Sequence, residues 1–270
     1  MASITIITST FNCREALRET AASIREQRLS GLQWIIADGG STDGTIGVIE
    51  ENADIVSQWH SEKDRGIYDA WNKAAAHVKG DWVLFLGAGD LLLANDSLER
   101  AARALDGVPT GTLLAYGGVA LVDAQGRTIQ YEREVDFSRW HQGRPVLPCH
   151  QGVFQHRALF NTPQPFDNSL RICADAKLML QAVAKAPPAY LGFDVAKMVI
   201  GGISTTTSGW LTMARENRRI CEDLGLRSPL SHRVGMVRLY AKLAVGKVLG
   251  RHVGKAANAY RRLTGRKPIY

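Results

Sequence analysis

The 270 residues of the chain are 45% hydrophobic and 22% charged, which is typical of a globular protein with one domain or two fused halves. No apolar run reaches about 18 residues, so no membrane-spanning helix is predicted, and the first residues lack the basic segment of a signal peptide. The net charge of +7 arises near the C-terminus, since residues 227–270 contain 11 Lys and Arg and no acid. The preceding residues hold 22 basic and 26 acidic groups, and this acidic body argues against a nucleic-acid partner.

The first 90 residues alternate four times between a predicted strand and a polar loop that leads into a predicted helix. This alternation predicts an α/β fold with a doubly wound, mostly parallel sheet. Right-handed crossovers bring the carboxyl ends of such strands to one edge. We therefore expect Asp38, the loop from Glu62 to Asp69, and Asp90 to converge there. The strands are predicted at residues 4–8, 34–37, 55–59 and 82–86.

Helix signals occur between these strands. Asn12, followed by Glu15 three residues later, predicts a capped helix that continues to about Gln27. Another helix is predicted to run to about Val78, and a further helix over residues 95–105 closes the first half.

The pattern changes after residue 106. Short predicted strands at 112–122 and 127–135 flank a hairpin signal, and a helix is predicted from Asp175. A strand or loop follows at 199–205, and a last helix at 211–224. We therefore divide the chain into a ligand-binding half at 1–106, a mixed-sheet half at 107–205 and a helical basic tail at 206–270.

The loop Ser41–Thr45 follows a strand but lacks the GxxxxGK[ST] spacing of a phosphate loop, and no GxGxxG follows the first strand. The carboxyl edge of the predicted sheet thus has neither phosphate-binding motif and is instead rich in carboxylates. Carboxylates repel phosphate unless a divalent cation lies between them, so a nucleotide at this edge implies Mg²⁺ or Mn²⁺. The buried strand 82–86 ends in a turn of small residues that closes with Asp90, and we predict that Asp90 binds this metal.

The four cysteines, at positions 13, 149, 173 and 221, form no CxxC pair, which predicts free thiols and a cytoplasmic location. Cys149 and His150 with Cys173 have no fourth ligand at suitable spacing, which argues against zinc.

Four segments follow one another in the first 90 residues: TSTFN at 8–12, WIIADGGSTDGT at 34–45, EKDRGIYDAWNK at 62–73 and GDWVLFLGAGD at 80–90. Their order and spacing resemble the family 2 inverting glycosyltransferases, of the colanic-acid and exopolysaccharide type. The resemblance continues in His150–Phe154, Phe166-Asp167, Ala174–Leu178 and Gly201–Ser204, and it covers about residues 3–205.

The resemblance implies a GT-A fold and an enzyme that transfers a sugar, with inversion, from a UDP- or GDP-linked donor. Asp175 matches the general base, and Asp90 the metal ligand, with His150 as a second ligand or, with Gln151, an acceptor contact. The positions implied in nucleotide-sugar binding are Ser9, Thr10, Asn12, Asp38, Glu62, Asp64, Gly66, Asp69, Lys73 and Gly89.

Two positions depart from the family pattern. Gly39 stands where many members have an acid that contacts the base, and Gly87-Ala88-Gly89-Asp90 keeps only the last carboxylate of a DxD-type run. This loss motivates an alternative, a non-catalytic relative that binds nucleotide-sugar or glycan. A nucleotidyltransferase is disfavoured because no glycine-and-lysine phosphate loop follows the first strand.

Structural roles also remain open for several of these residues. Asp38 and Asp43 suit helix caps, and Asp175 suits a helix N-terminus. His150 suits a hydrogen-bonded core position, and Lys73 a solvated helix face, whereas Trp71 and Trp82 are predicted in the core.

Basic residues alternate with apolar ones in the segment 227–270. This pattern favours an amphipathic helix on an anionic membrane surface, or a helix packed on the body with a basic outer face. The first alternative suits a lipid-linked acceptor and a peripheral location on the inner face of the plasma membrane. The function predicted overall is transfer of sugar to a glycan or lipid-linked hydroxyl in surface polysaccharide or glycolipid synthesis.

Overall fold

The structure is a computed structural model that describes residues 1–141, 143–201 and 207–229. Most of the basic tail, and the part of the last predicted strand or loop at 202–205, lie outside these residues. None of the described helices is long and apolar enough to cross a membrane. The α-helices are α1 Arg14–Arg25, α2 Thr45–Glu51, α3 Ile67–Ala75, α4 Ser97–Asp106, α5 Ala174–Val183 and α6 Thr207–Asp223.

The described strands form one large sheet and one small ribbon. The strands are β1 Ile4–Thr10, β2 Gln33–Asp38, β3 Gln58–Ser61, β4 Trp82–Phe85, β5 Leu91–Leu92, β6 Leu114–Val122, β7 Thr128–Glu132, β8 Trp140–His141, β9 Arg144–Pro145, β10 Val153–His156 and β11 Ala189–Val199. The large sheet has the order β3-β2-β1-β4-β10-β6-β11-β5, with β7 on β6, and β8 pairs with β9.

The first four strands of the large sheet are parallel, as predicted. Strand β10 runs antiparallel between β4 and β6, while β11 is parallel to β6. The second half of the chain therefore extends the same sheet. The predicted hairpin is present, since β6 and β7 are antiparallel around residues 123–127.

Apolar side chains alternate along the central strands and pack against helices on both faces. On one face Ile7, Val83 and Phe85 contact a cluster that includes residues of α3 and α5. On the other face Ile6 and Leu84 contact the apolar sides of α1, α2 and α4. This arrangement confirms the predicted α/β class with helices on both faces of the sheet, and Trp71 and Trp82 are in the core as predicted.

Two local predictions were wrong, and β10 and most of β11 were not predicted. Strand β3 begins at Gln58, because Ile55 and Val56 lie in a turn in which both N–H groups donate to the Asn52 carbonyl. The cap of α1 is Cys13, and Asn12 makes no capping bond. Val199, where a strand or loop was predicted to begin, is the last residue of β11. The start of β11 at Ala189 was not predicted, and neither was β10.

One buried side chain connects the two halves. The Asn72 amide on α3 donates to the Phe166 carbonyl at 2.9 Å and accepts from the Phe166 N–H at 2.9 Å. Phe166 is completely buried, so no solvent can replace these bonds.

The variant Asn72→Ala should lower the free energy of unfolding by about 2–4 kcal/mol, because it leaves two buried backbone groups without a partner. Urea titration measures this change. The exposed Asn95→Ala is the matched control and should remain near wild type. Equal stability of both variants would contradict the role assigned to the Asn72 amide.

Candidate active site

The loops after β1, β2, β3 and β4 meet at one edge of the sheet, as parallel strands require. Thr10 donates to Asp38 at 2.8 Å, which joins the first two loops. Ser61, at the end of β3, donates to the same carboxylate at 2.6 Å. The end of β1 is joined to α3, because Trp71 Nε1 donates to the Ser9 hydroxyl at 3.1 Å.

Asp38 is completely buried and accepts five hydrogen bonds. Besides Thr10 and Ser61, its donors are the Ser41 hydroxyl at 2.5 Å and the N–H groups of Gly40 at 3.0 Å and Ser41 at 2.8 Å. Burial alone would raise the pKa of Asp38, but the hydrogen bonds led by Ser41 and Ser61 outweigh it, so the pKa lies below its usual value. Both oxygens are engaged in shaping the loop.

The loops after β1 and β2 are also joined through Asn12. Its backbone adopts φ 48°, an uncommon conformation for a residue other than glycine. Its Oδ1 accepts from the Thr42 N–H at 2.8 Å, and its own N–H donates to Ser41 Oγ at 2.8 Å. Asp43 accepts from Thr45, the first residue of α2, and from the Arg14 N–H at 3.1 Å, so it has the structural role that the sequence left open.

The space around Gly39 accounts for its lack of a side chain. A Cβ there would lie 3.3 Å from the Phe11 ring and 3.4 Å from the Asp64 carboxylate. An acid at this position would displace the ring and approach a second negative charge. The Phe11 ring itself is 65% exposed at this edge.

Lys73 lies among three carboxylates. Its Nζ is 3.0 Å from Glu62, 2.8 Å from Asp64 and 3.2 Å from Asp69. The bond with Asp64 is the largest of the effects that raise the pKa of Lys73, so the ammonium stays charged. Lys73 is thus held by the acids of the loop and is not a solvated helix lysine.

Asp69 is buried at the start of α3. It also accepts from the Arg65 guanidinium at 3.0 Å. Burial raises the pKa of Asp69, but the contacts with Arg65 and Lys73 lower it by a larger amount, so the pKa lies below its usual value. Gly66 precedes the helix with φ 124°, which a side chain rarely adopts.

Asp90 is turned inward, over Gly87. A Cβ on Gly87 would lie 2.9 Å from Asp90 Oδ2, and the Gly87 N–H donates to this oxygen at 3.2 Å. Burial raises the pKa of Asp90 to about 7, against the lowering effect of hydrogen bonds from Gln151 and Gly87. Gly89 fixes the same turn against α1, because its N–H donates to Thr20 Oγ1 at 2.9 Å.

The residues present fit a divalent cation only in part. In the ranges that the structure describes, no group of three or more His, Cys, Asp or Glu side chains is placed to hold a metal. A single desolvated carboxylate, Asp90, suits an ion that receives most of its ligands from a diphosphate and water, as Mg²⁺ commonly does.

His150 lies on an aromatic platform. Its ring stacks on Trp71 at 5.2 Å and on Phe85 at 5.4 Å, between ring centroids. Its Nε2 is 2.8 Å from Gln155 Nε2, so the neutral ring accepts this hydrogen bond. Burial lowers the pKa of His150, although the negative charge of Asp175 opposes the shift. The contacts of Trp71 therefore extend from Ser9 to His150.

Asp175 lies in the first turn of α5. The Tyr68 hydroxyl is 2.9 Å from its Oδ1 and 2.5 Å from the Ile172 carbonyl oxygen. Burial, followed by the charge of Asp175, raises the pKa of Tyr68, so the phenol stays protonated and acts as the donor. Tyr68 is the second residue of α3 and thus connects Asp175 with the helix that also carries Asp69 and Lys73.

Three residues around this site were given no role from the sequence. Tyr68 lies in the segment EKDRGIYDAWNK at 62–73, but its partner Asp175 is distant in sequence. Arg144 has an Nε that is buried without a hydrogen-bond partner among the described residues, and its charge interacts with that of Asp175. Glu216 accepts from backbone groups just before α5. Isolated residues in loops or on a helix carry no periodic signal that would have identified them.

The family model described as Glycosyl transferase family 2 matches residues 5–157. A PGL/p-HBAD biosynthesis glycosyltransferase of Mycobacterium bovis is 33% identical over 173 residues, which cover 63% of this chain and 65% of the relative, just under two thirds of its length. An uncharacterized glycosyltransferase of Mycobacterium tuberculosis is 31% identical over 189 residues, which cover 68% of this chain and 70% of the relative.

Two solved structures have a similar fold. Staphylococcus aureus TarS 1-349 in complex with UDP-GlcNAc has a TM-score of 0.62 at 14% identity, covering 96% of this chain and 77% of that chain. The mannosyltransferase PcManGT from Pyrobaculum calidifontis, in complex with GDP-Man and Mn²⁺, has a TM-score of 0.55 at 16% identity, covering 90% and 81%. These similarities confirm the predicted GT-A fold.

The variant Asp38→Asn should lower the free energy of unfolding by at least about 2 kcal/mol at pH 7, since an NH₂ group would face hydrogen-bond donors. The pKa of Asp38 is lower in the folded protein than the usual value near 4. Its stabilisation is therefore complete above about pH 4 and is lost as the pH falls through the folded pKa.

Denaturant titrations of both proteins between pH 3 and pH 7 test this expectation. The difference in the free energy of unfolding between wild type and Asp38→Asn should become smaller towards pH 3. The exposed Glu19→Gln is the control and should show a small gap throughout. A gap for Asp38→Asn that widens on acidification would contradict the assignment.

Proposed function

Because the chain belongs to glycosyl transferase family 2, we propose that it transfers a sugar from a nucleoside-diphosphate donor to an acceptor hydroxyl, with inversion at the anomeric carbon. The observation that carries this proposal is the position of Asp175. Its carboxylate is hydrogen-bonded by Tyr68 from α3, the same helix that carries the Lys73 cluster at the nucleotide edge. One rigid helix thus holds the proposed base and the proposed donor site together.

Asp175 is the proposed general base. It accepts the proton of the acceptor hydroxyl, whose oxygen attacks the anomeric carbon from the face opposite the diphosphate. The new C–O bond forms as the bond to the diphosphate breaks, and a single displacement inverts the configuration. Tyr68 holds the carboxylate in place, while Arg144 supplies a nearby positive charge.

The donor site is proposed at the loops that follow β1 to β4. It comprises the ten positions implied by the resemblance, from Ser9 to Gly89. Asp38 would act by shaping its loop, because both of its oxygens already accept hydrogen bonds. The similar structures of TarS and PcManGT were determined with UDP-GlcNAc and GDP-Man, which supports a UDP- or GDP-linked donor.

Asp90 is the proposed protein ligand of Mn²⁺ or Mg²⁺. When bound, such an ion offsets the negative charge of the leaving diphosphate. Mn²⁺ accompanies the nucleotide in PcManGT and in glucosyl-3-phosphoglycerate synthase from Mycobacterium tuberculosis. His150 Nε2 already accepts from Gln155, which favours an acceptor contact by His150, together with Gln151, over metal binding.

The acceptor is proposed to be a glycan or a lipid-linked sugar of a surface polysaccharide or glycolipid. The name of the Mycobacterium bovis relative, PGL/p-HBAD biosynthesis glycosyltransferase, is consistent with a biosynthetic transferase. The basic residues of 227–270 would then place the enzyme peripherally on the inner face of the plasma membrane.

The variant Asp175→Asn should lower kcat by about 10²–10⁴-fold, because a positioned base contributes that much. Donor binding should change little. Release of the nucleoside diphosphate measures turnover. The control is Asp54→Asn, which lies before β3 and therefore at the end of the strands opposite the proposed site. Unchanged turnover in Asp175→Asn would refute its assignment as the base.

A thermal-shift panel of UDP, GDP, CDP and dTDP, each with and without Mn²⁺, should show one nucleotide that stabilises only with metal. At 100 times its Kd a ligand stabilises by about 2.7 kcal/mol, or roughly 5–10 °C here. The variant Asp90→Asn should lose this shift, whereas Asp54→Asn should keep it. No shift with any nucleotide would instead favour the alternative of a glycan-binding relative.

A further inference from the structure

The carboxylate of Glu216 on α6 binds the segment that immediately precedes α5. Its Oε1 accepts from the Arg171 N–H at 2.7 Å, and its Oε2 accepts from the N–H groups of Ile172 and Cys173, both at 2.9 Å. One side chain thus satisfies three consecutive backbone donors. Such bonds to a charged acceptor are stronger than those between neutral groups.

The α5 helix lacks a cap from its own sequence. Its N-cap residue is Cys173, whose side chain makes no capping bond. Glu216, on a helix that is distant in sequence, accepts instead from the N–H of this N-cap residue and of the two residues before it. Its negative charge also suits the positive end of α5. The orientation of the first turn of α5, which includes Asp175, therefore depends on α6.

Two opposing contacts fix Ile172, three residues before Asp175. Glu216 holds its N–H group, while the Tyr68 hydroxyl lies 2.5 Å from its carbonyl oxygen. The same hydroxyl is 2.9 Å from Asp175 Oδ1. A shift of Ile172 would therefore move Tyr68 and Asp175 together.

The α6 helix is itself anchored near the site. Cys221, on α6, donates through its thiol to the Gly143 carbonyl at 3.3 Å, next to Arg144. Glu216 lies beyond residues 5–157, which the family model matches, so the contact belongs to a part of this chain that the family description does not cover.

We propose that Glu216 is a positioning residue for the general base: it fixes the 171–173 backbone and thereby the place of Asp175 relative to the acceptor hydroxyl. The inference rests on the proposed transferase function. A misplacement of about 1 Å can lower a rate by roughly 100-fold. The ion pairs of Lys73 with Asp64 and Asp69 at the proposed donor site involve neither Glu216 nor the 171–173 backbone.

The test compares Glu216→Gln with the matched control Glu222→Gln on the same helix. Gln keeps one acceptor oxygen but replaces the other with an NH₂ group that faces an N–H donor. Glu222 contacts Arg218 at 2.9 Å and is 64% exposed, so its substitution leaves the 171–173 segment intact. The probes are UDP-glucose, UDP-GlcNAc and GDP-mannose with Mn²⁺, with water as the acceptor and release of UDP or GDP as the readout.

We expect Glu216→Gln to lower kcat about 10- to 100-fold while the donor KM and the nucleotide-induced thermal shift stay at wild-type values. Glu222→Gln should match wild type in every measurement. Glu216→Asp, which keeps both acceptor oxygens on a side chain shorter by one methylene, should recover part of the lost kcat. This separation of kcat from KM, with partial rescue, is not expected of a residue that only stabilises the fold.

Wild-type kcat in Glu216→Gln would overturn the inference while leaving the proposed function intact. A lower kcat together with a higher donor KM and a smaller thermal shift would also overturn the inference, because these changes indicate that the whole site is perturbed. If Glu216→Gln does not fold, Glu216→Asp provides the same comparison. A wild-type protein that turns over none of the three donors would instead overturn the proposed function, and with it this inference.

Discussion

The paired hydrogen bonds between the Asn72 amide and the backbone of Phe166 fix the distance between the two halves of the site. They occur in a region without access to water, so they have no substitute once formed. The helix that carries Asn72 also places Tyr68 against Asp175, Trp71 against Ser9, and Lys73 against its three carboxylates. A short segment of nine residues thereby aligns the loops after β1 to β3 with Asp175, which lies about one hundred residues later in the sequence.

Two carboxylates at strand ends show how the surroundings determine the chemistry of one residue type. Asp38 is surrounded by five donors, so its charge is stabilised and its pKa falls. Asp90 lies in a partly buried turn and accepts fewer hydrogen bonds, so burial raises its pKa to about 7. The first carboxylate organises a loop, whereas the second gains most from a positive partner, which is why we propose Asp90 and not Asp38 as the metal ligand.

The sequence predicted the parallel strands β1, β2 and β4, because each combines a buried apolar run with a polar loop. It failed for β10 and β11, where Gln155 and Asp194 interrupt the apolar pattern and pairing depends on distant neighbours. The same limit applies to the site. Candidates at strand ends could be proposed from topology, but the Tyr68–Asp175 and Glu216–Ile172 contacts join residues with no local signal. The sequence predicted Asn12 as a helix cap, but its side chain accepts from the Thr42 N–H in the neighbouring loop.

The position of β4 in the sheet has a consequence for how the chain can be divided. Its outer edge is covered by β10, which is synthesised about seventy residues later. A fragment ending near residue 106 would leave β4, four buried apolar residues long, as an open edge able to recruit strands from other molecules. During synthesis the first half of the chain is therefore expected to be prone to association through the free edge of β4, until β10 has been synthesised and covers that edge.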